Sequence, residues 1–184
     1  MYVIDDILNV IEMEAFMDYF FSTERLNIRY ATVKDINFIM ETERAIGNKD
    51  YIFQGTYESH NHEIETNELL LLIIEKKIDN EKIGFFLSHY DQNSDVFELR
   101  RIAINLKNQG YGYEVIFELM KYVFNNLSIN RFWLDVFDYN KPGIHLYEKL
   151  GMQKDGIIRE GYKSNGVYKS YYIYSILRNE FFEN

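Results

Sequence analysis

Residues 96–137 constrain the fold more than any other stretch. "VFELRRIAI" alternates apolar and polar positions as a strand does, and "RFWLDVF" at 131–137 does the same. Between them, Lys107-Asn108-Gln109-Gly110-Tyr111-Gly112 turns the chain on two glycines, and residues 112–126 place apolar side chains at helical spacing. A strand, a crossover helix and a second strand make a unit whose handedness is fixed and whose parallel strands need a larger sheet around them. The glycine turn also opens the helix. The first N–H groups of a helix lack internal partners and carry partial positive charge, so an anion can settle there. Glycines let a diphosphate approach the main chain, and Lys107 adds charge. No Gly-Lys-Ser/Thr follows, and a third glycine is missing, so neither common nucleotide-binding loop is matched. A tight turn with no ligand remains the alternative.

The flanking sequence completes a mixed α/β pattern. "ERLNIRYA" reads as a first strand, and Thr32 with Asp35 opens a helix through about Ala45. Residues 47–64 are irregular, with Ser59 as a candidate cap for a short second helix. Strands follow at about 68–76 and 82–90, where Gly84 is a minor weakness. After 131–137 comes a helix over 141–150 ended by Gly151, then a hairpin turning at Asn165-Gly166. Residues 3–21 form one apolar stripe with an acidic opposite face. We read 1–22 as an amphipathic helical extension and 23–184 as a single domain. That extension offers a surface to a partner or to a second copy, as in a homodimer.

Composition narrows the function. The net charge is −9, and residues 1–95 carry 19 acidic against 8 basic side chains. A nucleic-acid partner is disfavoured because phosphate contacts need a basic face. With no cysteine, disulfides, thiolate metal sites and a cysteine nucleophile are excluded. The longest apolar run, "LLLLII" at 69–74, is far too short for a membrane span, and the acidic N-terminus is unlike a secretory signal, so a cytoplasmic protein is expected. His60 and His62 lack carboxylate or cysteine partners at metal-site spacing, so they read as surface or substrate-side histidines and no metal is expected.

A second stretch carries chemistry: "LDVFDYNKPGIHLYEKLGM", residues 134–152. Asn140 is a favoured N-cap, Pro142 suits a first helical turn, and the Tyr147 phenol is a proton donor for a leaving group, unless it is simply an apolar-face residue.

With the glycine turn, this stretch resembles the GNAT superfamily of N-acetyltransferases. Lys107 to Gly112 stand at the family's Gln/Arg-x-x-Gly-x-Gly/Ala signature. Asn140 to Met152 echo its Asn-x-x-Ala-x-x-Leu-Tyr-x-x-x-Gly-Phe pattern. Lys107 replaces Gln or Arg, Gly143 replaces Ala, and Met152 replaces Phe. The likeness covers about 23–180 and is nearest the ribosomal-protein and polyamine acetyltransferase branches. It implies a mostly antiparallel sheet of about seven strands, with helices on both faces and a splayed central strand pair. It implies acetyl-CoA as donor, its pantetheine arm along the main chain of Ile102, Ala103 and Ile104, and its pyrophosphate cradled by Asn108, Gln109, Gly110, Tyr111, Gly112 and Tyr113. Asn140 would bond the pantetheine and Tyr147 would serve the departing thiolate. The acceptor would be a small amine, a polyamine or a protein N-terminus. Glu98 is the candidate base, or else an ion-pair partner of Arg100 or Arg101; Glu41 and Glu43 are weaker acceptor-side candidates. A non-catalytic CoA sensor and an assembly module are the alternatives.

Overall fold

The computed structural model describes residues 19–164 and 166–183. The expected N-terminal extension lies mostly outside them, but Phe21–Ser22 form a two-residue strand, β1, in place of a helix end. It pairs with β2, Leu26–Tyr30. The Thr32–Asp35 pair forms its capping box, but around a short 3₁₀ turn, Val33–Asp35, from which α1 continues over Ile36–Arg44. α2 spans Tyr57–Glu65. Its cap is Thr56, and Ser59, the third residue of the helix, is the reciprocal partner in the capping box rather than the cap itself.

β3 (Leu69–Lys76), β4 (Lys82–Asp91) and β5 (Val96–Ile104) follow as an antiparallel meander. The "LLLLII" run makes β3 a strand buried on both faces. α3 spans Tyr111–Asn126 and returns the chain to β6, Arg131–Phe137, which lies parallel to β5. α4 is Lys141–Lys149, and β7 (Gln153–Ser164) and β8 (Val167–Leu177) form the final hairpin. Ser164 pairs with Val167, as a two-residue connection requires; Asn165 itself lies outside the described residues. A last short helix, α5, covers Arg178–Glu183 and was not signalled by the sequence pattern.

The strands form one sheet in the order β1-β2-β3-β4-β5-β6-β8-β7. The eighth strand, against about seven expected, is β1. Alternation along the strands divides the core in two. One face buries Leu72, Phe86, Leu99 and Phe132 under α3 and α4; the other buries Ile73, Phe85, Leu87 and Ala103 under α1 and α2.

Candidate active site

The site begins where pairing fails. β5 and β6 are parallel neighbours only at Val96–Arg131, Phe97–Phe132 and Glu98–Trp133. Both strands run on, β5 to Ile104 and β6 to Phe137, without further pairing between them. A bulge in β5 explains part of the divergence: Leu87 faces Arg101 and Ser88 faces Leu99, so Arg100 is the extra residue that bends the strand. Ile102, Ala103 and Ile104 pair with Phe86, Phe85 and Gly84 on one side, and their other edge has no partner in β6. Such an edge accepts an extended, amide-bearing chain as a further strand.

Beyond Ile104 the chain enters the glycine turn. Asn108 and Gly110 both take left-handed backbone conformations, φ 59° and 79°, which glycine and asparagine tolerate best. The first helical bond of α3 runs from the Glu114 N–H to the Gly110 carbonyl at 3.0 Å, so the amides of Tyr111, Gly112 and Tyr113 precede the helix's own bonding. No side chain among the described residues caps this end. A Cβ on Gly112 would lie 3.3 Å from Leu146 Cδ2, so this glycine serves the close packing of α4 against the start of α3.

Sequence reasoning missed how the turn is fastened. Arg25, just ahead of β2, donates to the Gln109 carbonyl at 3.1 Å and to Glu114 Oε2 at 2.6 Å, and its guanidinium lies 4.3 Å from the Tyr111 ring centroid. Thr23 completes the clamp by donating to Glu114 Oε1 at 2.5 Å. Lys107, by contrast, turns back to donate to the Asn48 side-chain oxygen, and burial lowers the pKa of its ammonium. The cation that fastens the turn is therefore Arg25, a residue 85 positions away from Gly110 whose "TERLN" setting carries no signal of that role.

On α4, Asn140 is the N-cap: its Oδ1 accepts from the Gly143 N–H at 3.0 Å. A Cβ on Gly143 would fall 2.8 Å from Asn140 Nδ2, so the departure from alanine at this position suits the rotamer that Asn140 adopts. Tyr147 is buried, its ring centroid 6.3 Å from that of Tyr174. Its hydroxyl makes no hydrogen bond among the described residues, and burial first, then the nearby Asp135 charge, raise its pKa.

At the mouth of the fork lies a cavity of about 600 Å³. Glu98 sits in its wall with Arg100 Nε 3.6 Å and His89 Nδ1 3.9 Å away, so the ion-pair reading of Glu98 is realised. Asp135 lines the same wall, two residues beyond the Trp133 that pairs with Glu98, and therefore on the same face of the sheet. Among the described residues it makes no ion pair and no hydrogen bond to another residue; burial first, then the neighbouring Glu98 charge, raise its pKa, against a smaller opposing effect of the Arg100 charge. The clue available in the sequence was a lone acid inside the apolar run of residues 132–137.

Behind the cavity, Glu43, His60, Glu63 and Arg101 close a ring. Arg101 donates to Glu43 at 2.9 Å and to Glu63, while His60 meets Glu63 at 2.9 Å and Glu43 at 3.3 Å. Glu43 and His60 are fully buried, so neither faces an acceptor, and His60 is not the surface residue expected. Burial alone would lower the His60 pKa, but hydrogen bonds to Glu43 and Glu63 outweigh it and raise the value to about 9. Glu41 is exposed on α1, and His62 is exposed on α2 beside Thr66.

The comparisons agree with this geometry. The model of the acetyltransferase (GNAT) family matches residues 36–152. The uncharacterized N-acetyltransferase p20 of Bacillus licheniformis is 33% identical over 73 residues, 40% of this chain; the match spans 41% of that relative's length. Spermidine N(1)-acetyltransferase of Vibrio cholerae is 24% identical over 166 residues, 85% of this chain and 95% of its own. Among solved structures, a GNAT-family acetyltransferase from Bacillus anthracis superposes with a TM-score of 0.73 at 22% identity, covering 86% of this chain and 98% of that one. Spermidine N-acetyltransferase from Vibrio cholerae in complex with CoA and spermine gives 0.75, also at 22% identity, over 85% and 98%. Fold, forked strand pair and family match converge, and the chain belongs to the acetyltransferase (GNAT) family.

Proposed function

We propose that the protein transfers an acetyl group from acetyl-CoA to a primary amine, that of a small molecule or of a peptide N-terminus. The observation that carries this reading is the fork between β5 and β6, which joins the unbonded amides of α3 to a cavity holding an unpaired carboxylate. The donor supplies an acetyl thioester. The edge of Ile102, Ala103 and Ile104 suits its amide-bearing arm, and the amides of Tyr111, Gly112 and Tyr113 suit its diphosphate. Arg25 and Glu114 keep that turn in place, and Asn140 fixes the start of the helix that carries Tyr147.

An alkylamine is protonated at neutral pH and must lose a proton before it attacks. Asp135 is placed to take it, directly or through water, because a carboxylate lifted by burial and by Glu98 is a stronger base than an exposed one. Glu98 thus acts chiefly through its charge on Asp135. As the nitrogen–carbon bond forms, the carbon–sulfur bond breaks, and the Tyr147 hydroxyl gives its proton to the departing sulfur. Tyr147 regains a proton as the amine nitrogen loses its second one, and Asp135 passes its proton to solvent, so both side chains are restored and one proton is released for each acetyl group transferred. Most of the rate comes from holding amine and thioester together.

The test is thiol release from acetyl-CoA with an amine panel, checked by mass of the acetylated product, on the native chain and Tyr147→Phe. The variant should lose about 10²-fold in kcat while KM for acetyl-CoA changes little. Saturable CoA uptake without turnover by the native chain would instead make the protein a CoA sensor.

A further inference from the structure

The charges of the cavity define the acceptor further, granted the acetyl-transfer reading above. Five charged side chains line it: Glu63, Glu98, Asp135, Arg100 and Arg101. Four already have opposite charges beside them. Arg101 is held by Glu43 and Glu63, and Glu63 also by His60. Glu98 has Arg100 at 3.6 Å. Among the described residues Asp135 alone of these five has no ion pair, and the cation whose charge does reach it, Arg100, is already paired with Glu98. The rest of the wall is apolar, with Phe53, Trp133 and Tyr171 aromatic and Leu69, Leu87 and Ile173 aliphatic.

We propose that the acceptor is a small amine with a single positive charge on an apolar, preferably aromatic, body, and not a polyamine. One ammonium matches the one carboxylate that has no ion pair of its own. A second would rest against Arg100, Arg101 or hydrocarbon, where a charge without a partner is strongly disfavoured. The three rings offer both area and π-faces to an aromatic amine. The charge balance also names the residue that enforces the choice. Arg100 neutralises Glu98, and removing it would leave two carboxylates where there is now one.

The experiment compares kcat/KM for 2-phenylethylamine, 1,4-diaminobutane and spermidine, on the native chain and on Arg100→Gln. Phenylethylamine should exceed both polyamines by roughly tenfold or more, and Arg100→Gln should shift the diaminobutane-to-phenylethylamine ratio upward by roughly tenfold. A native preference for spermidine or diaminobutane, or an unmoved ratio in the variant, overturns the proposal. A peptide with an N-terminal phenylalanine presents the same chemistry; if it is preferred roughly tenfold over phenylethylamine, the small-molecule assignment falls. If no amine releases thiol, the acetyl-transfer reading fails by itself, and calorimetry of the amines then decides this one. Saturable uptake of phenylethylamine without spermidine upholds it; the reverse, or uptake of neither, overturns it.

Discussion

Asp135 shows how the role proposed for one side chain can carry a cost in stability. Its carboxylate is largely withdrawn from water, has no cation of its own and stands near Glu98. A carboxyl whose pKa is raised on folding is most favourable to the folded state below its ordinary pKa, and that contribution is lost as pH rises through the raised value. At neutral pH the ionised group therefore strains the fold. Asp135→Asn should raise the thermal midpoint at pH 7 while lowering kcat by about 10²-fold; a midpoint that falls, or turnover that persists, would remove Asp135 from the base role. The residues of the glycine turn and of the Asn140–Tyr147 helix were legible because their spacing repeats a recognisable pattern. Asp135 and Arg25 were not. Their importance comes from what the fold places beside them, and neither burial nor a missing counter-ion is written in local sequence.

At the scale of elements, the same distinction separates Gly84 from the other glycines. Along β4 it reads as a gap in an apolar run, yet a Cβ there would lie 2.3 Å from the Ala103 carbonyl oxygen. The strand needs the hydrogen atom so that β4 and the end of β5 can come together, and the end of β5 is the edge that faces the fork. Gly84→Ala should lose about 3 kcal/mol in chemical denaturation and weaken CoA binding, because the obstructing atom is main chain and cannot rotate away. α2 is tied to β5 by charge. His60, with its pKa raised to about 9, contributes stability that is complete below its ordinary pKa, about 6.5, and is lost as pH rises through about 9. The midpoint difference between the native chain and His60→Gln should therefore shrink from pH 6.5 to pH 10; a constant difference would show that the ring does not depend on the imidazolium. The helices and strands were readable from periodicity and caps, whereas this ring joins residues 43, 60, 63 and 101 and appears only after α1, α2 and β5 are assembled.

The whole molecule must keep two halves of a sheet together while leaving them apart where the site lies. Three residue pairs join β5 to β6, and the rest of the seam is open. A second bridge spans the opening from above. Tyr51 and Phe53, in the segment between α1 and α2, meet Tyr139, Phe137 and Tyr162 of the opposite half, with the Phe53 ring 4.5 Å from that of Tyr162 and edge-on to it. The Tyr139 hydroxyl donates to the Asp50 carbonyl at 2.9 Å and accepts from Lys169 at 2.9 Å. The irregular composition of residues 47–56 concealed this role, since ring-to-ring contacts across a chain separation of more than 80 residues leave no periodic trace. Phe53 belongs both to the bridge and to the cavity wall. Its loss should therefore act on two observables at once. Phe53→Ala should cost about 1–2 kcal/mol, or a midpoint lower by roughly 2–8 °C for a chain of this size. It should also raise KM for the amine more than KM for acetyl-CoA, because the edge and turn proposed for the donor are not part of the cavity wall that Phe53 forms. Equal rises in both constants would mean that the bridge sets the width of the fork itself, and that the acceptor wall and the donor edge move as one body.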